Sequence, residues 1–144
     1  MTPRSVIYWT ATTIIALAFL SGGVAYLAQS QTQLDGMAAL GYPAYFVTLL
    51  GFWKVAGGAA ILSPRLPLVK EWAYAGIAFD LTGAAFSQGV VTHSPVKIIT
   101  PLVLLVVAAA SWALRPANRV VAGRAPMFVQ RASPDDALTM RTRL

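Results

Sequence analysis

The chain has 144 residues, the length of one ordinary domain. Hydrophobic residues make up 57% of it and charged residues 11%, so it lacks the polar surface that a soluble domain of this size needs. The formal net charge is +6, and the chain has no cysteine and one histidine, which excludes disulfides, thiolate metal sites and a multi-histidine metal centre. The composition argues against a soluble enzyme or a disordered chain and indicates a small integral membrane protein.

Four apolar runs are long enough to cross the bilayer core, which takes about 20 residues of helix. They cover about 6–28, 42–62, 69–91 and 98–114. We expect the first run to be a retained span, because it is longer than a signal-peptide core and bulky Tyr26 precedes the best cleavage position. Because the second and third connections are short, sequential spans should be antiparallel neighbours. The sequence therefore predicts an all-α domain over 1–114, an up-down-up-down four-helix bundle in the membrane.

The connection between the first two spans, residues 29–41, is the longest. Its middle, Leu34–Leu40, fits either a short interfacial helix lying over the bundle or an irregular polar loop. Both interpretations place this segment at the membrane surface.

The basic residues predict the orientation. Arg4 precedes the first span, Arg65 and Lys70 lie where the second span is joined to the third, and six arginines follow the fourth. The opposite side carries Lys97 as its one lysine or arginine. The positive-inside rule then places both termini in the cytoplasm, with the protein in the inner (cytoplasmic) membrane.

Residues 115–144 form a predicted basic cytoplasmic tail. Ser133 followed by Pro134 resembles a helix start, so we expect a short terminal helix from about Pro134. The arginines favour adhesion to anionic lipid over docking of a partner protein. The tail has one aromatic residue, Phe128, and so lacks the pattern of alternating basic and aromatic residues that would suggest binding to nucleic acid.

Lys54 and Asp80 are charged residues inside predicted spans, where a charge at mid-bilayer costs at least about 2.5–3.5 kcal/mol. At about 1.5 Å per residue, Lys54 lies about 12 Å and Asp80 about 15 Å from the cytoplasmic ends of their spans. The two have opposite signs and lie on neighbouring helices, so the sequence predicts that they pair. Such a pair either fixes the register of the helices or forms a polar site for a small molecule, a quinone headgroup or a proton.

Small residues flank both charges and leave space for close helix packing or for a ligand. Ser87 follows Asp80 by seven residues and therefore lies on the same helix face. Tryptophans from both spans complete the set. The candidate ligand-binding residues are Lys54, Asp80, Gly51, Ser87, Trp53 and Trp72.

Two further polar residues lie outside this face. Glu71 is nine residues before Asp80, half a turn out of phase, and we expect it near the cytoplasmic interface, paired with Arg65 or Lys70. His93 lies in a short external loop and is expected to be solvated. We therefore predict no metal site.

The segments LGYPAYFVTLLGFWKVAGGAAIL and LVKEWAYAGIAFDLTGAAFSQ resemble the DoxX-like family of small four-helix membrane proteins. The matching elements are the GYP sequence at Gly41, Gly51 followed by Lys54, and the KEWAYAG sequence at Lys70. The resemblance implies four transmembrane helices. It also implies a link to membrane redox complexes, because the family name comes from a subunit of a thiosulfate:quinone oxidoreductase.

Two functions remain as alternatives. The first is a binding or accessory subunit of a membrane redox system, with an apolar small molecule or quinone, a protein partner or a second copy of the chain as partners besides lipid. The second is a small isomerase, cyclase or hydratase acting on an apolar substrate, with Asp80 as acid or base, Lys54 as its charge partner and Glu71 as a second carboxylate. Neither alternative assigns a cofactor. A transporter ranks below both, because four helices are few for alternating access.

Overall fold

The computed structural model describes residues 3–64 and 66–116, which form five helices and no strand. The helices are α1 Pro3–Leu27, α2 Gln31–Ala39, α3 Ala44–Leu62, α4 Pro67–Val91 and α5 Pro95–Ala113. Pro67 and Pro95 stand at the first position of α4 and α5, where a missing N–H group costs little. The segment that the sequence left open between helix and loop is helical, as α2.

Three of these helices, α1, α3 and α5, are long and apolar enough to cross a membrane. Helix α4 also has 25 residues, but it carries Lys70, Glu71 and Asp80 and does not join that set. The protein is therefore a helical, multi-pass membrane protein. Spanning by α4, the four-helix topology in the membrane and the cytoplasmic location of both termini stay predictions.

The four long helices contact one another in a ring. Helix α1 packs against α3 and α5, and α4 packs against α5 and α3, while α2 contacts α3 and α1. The α1–α3 interface is the most extensive of the four and the α3–α4 interface the least. The wall between α3 and α4 is therefore the most open part of the ring.

Glycines explain the close approach of α1 and α3. A Cβ atom added at Gly23 would lie 2.7 Å from Val55 Cγ2, and one added at Gly51 would lie 2.9 Å from Tyr26 Cβ. Gly58 of α3, two helical turns after Gly51, lies against α1 in the same way. Small residues at such contacts let membrane helices pack backbone to backbone.

The core lies between the helices and consists of apolar side chains, with Ile15, Ile61 and Ile77 among the most buried. Large apolar side chains, such as Leu17 and Phe86, also cover the outer surface. A soluble protein rarely exposes so much continuous apolar surface, whereas lipid chains solvate it. The outer surface is therefore suited to contact with lipid. The predicted terminal helix and the rest of the tail beyond residue 116 lie outside the described residues.

Candidate ligand-binding site

A cavity of about 690 Å³ lies between α3 and α4, with α2 at one end. Its volume is within the range of about 300–1,000 Å³ that is typical of ligand-binding pockets. Small residues on both helices make room for it, including Gly57 and Ala60 of α3 and Gly83 of α4. The cavity thus occupies the least tightly packed wall of the ring.

Lys54 and Asp80 meet in this cavity. Lys54 Nζ donates a hydrogen bond to Asp80 Oδ2 at 2.5 Å, across the α3–α4 interface. The side chains are 17% and 16% exposed, so the pair is mostly withdrawn from the surroundings of the protein while still reaching the cavity. The structure therefore brings together the two charges that the depth arithmetic placed at similar levels.

Two aromatic rings of α1 complete the surroundings of the ammonium group. Lys54 Nζ lies 4.6 Å from the ring centroid of Phe19 and 5.7 Å from that of Tyr26. Both distances are within the range of cation–π attraction. Sequence analysis missed these two rings, because α1 is apolar all round and no polar pattern marks its inner face. Their seven-residue separation, which places them on one face of α1, was the available signal.

Polar side chains gather at the α2 end of the cavity. The hydroxyl oxygens of Tyr42 and Ser87 lie 2.8 Å apart. Gln33 of α2 and Gln88 of α4 line the same part of the wall. Ser87 is seven residues beyond Asp80, which corresponds to about 10 Å along the helix axis. The cavity therefore has one charged position and, further along, a group of neutral polar side chains.

Exposed aromatic residues border the cavity on the outer surface of the protein. Trp53, Trp72 and Phe79 line the cavity and are 61%, 72% and 78% exposed. Each of these aromatic side chains thus faces both the cavity and the outer surface of the protein. The cavity is open sideways between α3 and α4, through a surface of the kind that lipid covers.

Five of the six predicted ligand-binding residues line this cavity, and one does not. Lys54, Asp80, Ser87, Trp53 and Trp72 are in its wall. The sixth, the glycine at position 51, is buried against α1 at the glycine contact described above. The small residues of α3 divide between two faces, and sequence spacing alone placed both faces around the lysine.

Glu71 lies outside the cavity lining. Its Oε1 atom accepts a hydrogen bond from Arg115 Nη2 at 2.7 Å, and its Oε2 atom accepts one from Trp112 Nε1 at 3.0 Å. The sequence suggested Arg65 or Lys70 as partners; Arg65 is outside the described residues. Sequence analysis missed Arg115 because it counted that residue only as part of the basic tail.

The remaining polar residues lie apart from the cavity lining. His93 is exposed in the turn after α4, with a positive φ of 50° and Nδ1 against the carbonyl oxygen of Gly89. The hydroxyls of Thr12, Tyr74 and Ser111 form a buried chain with separations of 2.7 Å, which satisfies polar groups between α1, α4 and α5. Within 3–64 and 66–116, no group of three or more His, Cys, Asp or Glu side chains could hold a metal ion.

The part of the chain that matches a known family includes the cavity and most of the four long helices. No curated protein and no solved structure shows a significant match to the chain. A family model described as the DoxX-like family matches residues 10–111. This match spans well over half of the chain and includes Lys54, Asp80 and the cavity wall between them. The chain belongs to the DoxX-like family.

Proposed function

We propose that this protein is a membrane-embedded binding protein that holds a small, lipid-soluble molecule in the cavity between α3 and α4. The observation that carries this proposal is the Lys54–Asp80 pair, which faces a cavity whose wall is otherwise mainly apolar and aromatic. A largely apolar pocket with a few convergent polar groups is the usual form of a ligand site. The polar groups fix the orientation of the ligand, and the apolar wall supplies most of the contact area.

The proposal includes α4 as the fourth span of an up-down-up-down bundle with both termini in the cytoplasm of the inner membrane. Asp80 is the charge that most opposes insertion of α4, and its contact with Lys54 lowers that cost. The length of α4, 25 residues, suffices to cross a bilayer core of about 30 Å at 1.5 Å per residue.

Membership of the DoxX-like family supports a role as a binding or accessory subunit of a membrane redox system. The side opening supports a ligand that arrives through the lipid phase, as a quinone does. A quinone headgroup placed at the ion pair would accept a hydrogen bond from Lys54 and lie near the Phe19 and Tyr26 rings. A protein partner or a second copy of the chain would then receive or supply the ligand.

A second candidate function is catalysis on an apolar substrate, as in an isomerase, cyclase or hydratase. It is favoured by one observation, a carboxylate and an ammonium group that share a cavity of ligand size. Asp80 would act as acid or base and Lys54 would set its charge environment. Glu71 has no place in this mechanism, because it lies outside the cavity lining and pairs with Arg115.

Native mass spectrometry of the protein in a mild detergent, with extraction of the bound molecules, tests the proposal. We expect wild type to carry a stoichiometric lipid-soluble molecule that Lys54→Met and Asp80→Asn lose. Thr82→Ala is the matched control, because Thr82 is on α4, is exposed and bonds its own helix at Ala78 O. Bulk lipid alone, unchanged among all four proteins, would favour an ion pair that only fixes helix register.

The same preparation separates binding from catalysis. The extracted molecule is returned to purified wild type and to Asp80→Asn, and its chemical structure is followed over time. Recovery of the unchanged molecule from wild type supports a binding protein. Conversion by wild type, lost in Asp80→Asn while that protein remains folded, supports the enzyme instead.

A further inference from the structure

We infer that the cavity selects an electrically neutral ligand that presents a hydroxyl group to Lys54 and Asp80, such as an alcohol, a phenol or a hydroquinone. The inference rests on the proposed function and narrows its ligand class. Three features of the cavity support it: the hydrogen-bonding capacity at the ion pair, the charge balance of the wall and the aromatic side opening.

The ion pair has hydrogen-bonding capacity that the described residues leave unused. A lysine ammonium group has three N–H donors, and Lys54 directs one of them to Asp80 Oδ2. Within the described ranges, Lys54 donates no second hydrogen bond and Asp80 Oδ1 accepts none. A ligand hydroxyl can accept from Lys54 and donate to Asp80 at once, whereas a ketone or ether oxygen can only accept. The hydroxyl group is therefore the better complement.

The charge of the cavity wall sums to zero. Among the described residues that line the cavity, Lys54 and Asp80 are the two charged side chains, and they have opposite signs. A carboxylate or an ammonium group on the ligand would add an uncompensated charge in a poorly hydrated site, which is costly. The wall therefore favours a neutral headgroup.

The body of the ligand follows from the rest of the wall. Phe19 and Tyr26 lie beside the ammonium group, and Trp53, Trp72 and Phe79 border the side opening. Such a wall accommodates an aromatic ring or another flat apolar group close to the hydroxyl. An alkyl chain can leave through the opening into surrounding lipid. A ring-bearing amphiphile with a neutral hydroxyl head fits each of these features.

Four probes that share one alkyl chain test the inference by native mass spectrometry in detergent: para-dodecylphenol, its methyl ether, para-dodecylbenzoate and para-dodecylbenzylammonium. We expect wild type to bind the phenol at least about tenfold more tightly than each of the other three, a free-energy difference of about 1.4 kcal/mol. Equal or tighter binding of the ether, the benzoate or the benzylammonium by wild type would overturn the inference.

Two variants give a readout that misfolding cannot imitate. Asp80→Asn leaves a net positive wall and should shift the preference to the benzoate, whereas Lys54→Met leaves a net negative wall and should shift it to the benzylammonium. The exchanged pair, Lys54→Asp with Asp80→Lys, restores neutrality and should restore preference for the phenol. An unchanged order of affinities in these folded variants would show that the pair does not select the ligand.

The outcome also distinguishes this inference from the proposed function on which it rests. If wild type carries an endogenous ligand at the cavity and that ligand is charged, the selection of a neutral, hydroxyl-bearing ligand fails while the binding function stands. If neither an endogenous molecule nor any of the four probes binds, the binding function fails as well.

Discussion

Arg115 Nη2 donates a hydrogen bond to Glu71 Oε1 at 2.7 Å, although the two residues are 44 positions apart in the chain. The contact joins the first turns of α4 to the second residue after the end of α5. Arg115 also donates from Nε to Trp112 O at 3.0 Å, and its guanidinium group lies 5.2 Å from the Tyr74 ring centroid. Its side chain is 3% exposed, so a basic residue of the predicted tail is in fact a buried part of the helix packing.

Removal of the Glu71 carboxylate should therefore destabilise the fold without emptying the cavity. Glu71→Ala leaves the Arg115 charge buried without this partner, and we expect a loss of about 3 kcal/mol in unfolding free energy. Glu71→Gln should cost less, because the amide oxygen can still accept from Arg115. Thermal unfolding in detergent measures the first effect, and native mass spectrometry shows whether the ligand remains.

Asp35→Ala is the control for this comparison. Asp35 is an exposed carboxylate on α2 that accepts a hydrogen bond from Gln31, and its removal should change stability by less than about 0.5 kcal/mol. If Glu71→Ala proved as stable as Asp35→Ala, the contact with Arg115 would carry no stability. Loss of the ligand from a folded Glu71→Gln protein would instead show that the Glu71 carboxylate takes part in ligand binding.

The Lys54–Asp80 pair should be separable into a structural and a binding contribution. Lys54→Met or Asp80→Leu alone leaves one buried charge without its partner, and we expect each to cost about 3–5 kcal/mol. The double variant removes both charges and should recover most of that loss, because replacing a buried ion pair by apolar side chains is often neutral. Unfolding in detergent measures these stabilities.

The double variant then decides what the pair is for. Under the proposed function it folds but carries no ligand, because the apolar wall remains while the polar anchor is gone. A folded double variant with a full complement of ligand would mean that the pair stabilises the fold and does not hold the headgroup. A double variant less stable than either single variant would contradict the expected coupling between the two charges.

Adjacent glycines of α1 provide a matched test of the α1–α3 contact. Gly23→Ala places a Cβ atom 2.9 Å from Gly51 O and from Val55 N, backbone atoms that cannot rotate away, and should cost about 1–3 kcal/mol. A Cβ atom at Gly22 meets nothing within 4 Å, so Gly22→Ala should leave stability unchanged or raise it by up to about 1 kcal/mol. Equal unfolding temperatures for the two variants would show that α1 and α3 pack less closely than the structure indicates.

Sequence analysis reached the parts of this protein that follow from one-dimensional spacing. A helix rises by a fixed distance per residue, so the length of an apolar run shows whether it can cross the bilayer core. The same rise per residue placed Lys54 and Asp80 at similar depth. It could not identify which inner face each residue takes, because a helix that is apolar all round has no preferred side by composition. The packing of Gly51 against α1, and the position of the Phe19 and Tyr26 rings beside Lys54, therefore emerged only from the packed structure.

The partner of Glu71 was beyond prediction for a different reason. Glu71 has several basic residues within reach along the chain, and the choice of Arg115 depends on how α4 and α5 cross. Helix α2 lines one end of the cavity. Its position depends likewise on the path of a connection whose sequence fitted both a helix and a loop. The sequence indicates that a partly buried carboxylate such as that of Glu71 needs a hydrogen-bond partner, but only tertiary packing selects the partner.

The predicted orientation can be tested directly because the chain has no cysteine of its own. Single substitutions His93→Cys and Arg119→Cys place one thiol in the α4–α5 turn and one in the basic tail. If both termini are cytoplasmic, a membrane-impermeant maleimide added to intact spheroplasts should label His93→Cys, and Arg119→Cys should react only after the membrane is opened.

Asp35→Cys on α2 should behave like His93→Cys, because it lies on the same predicted side. Labelling of Arg119→Cys in intact spheroplasts would reverse the orientation, and labelling of both His93→Cys and Asp35→Cys only after opening would place the α2 end of the cavity on the cytoplasmic side.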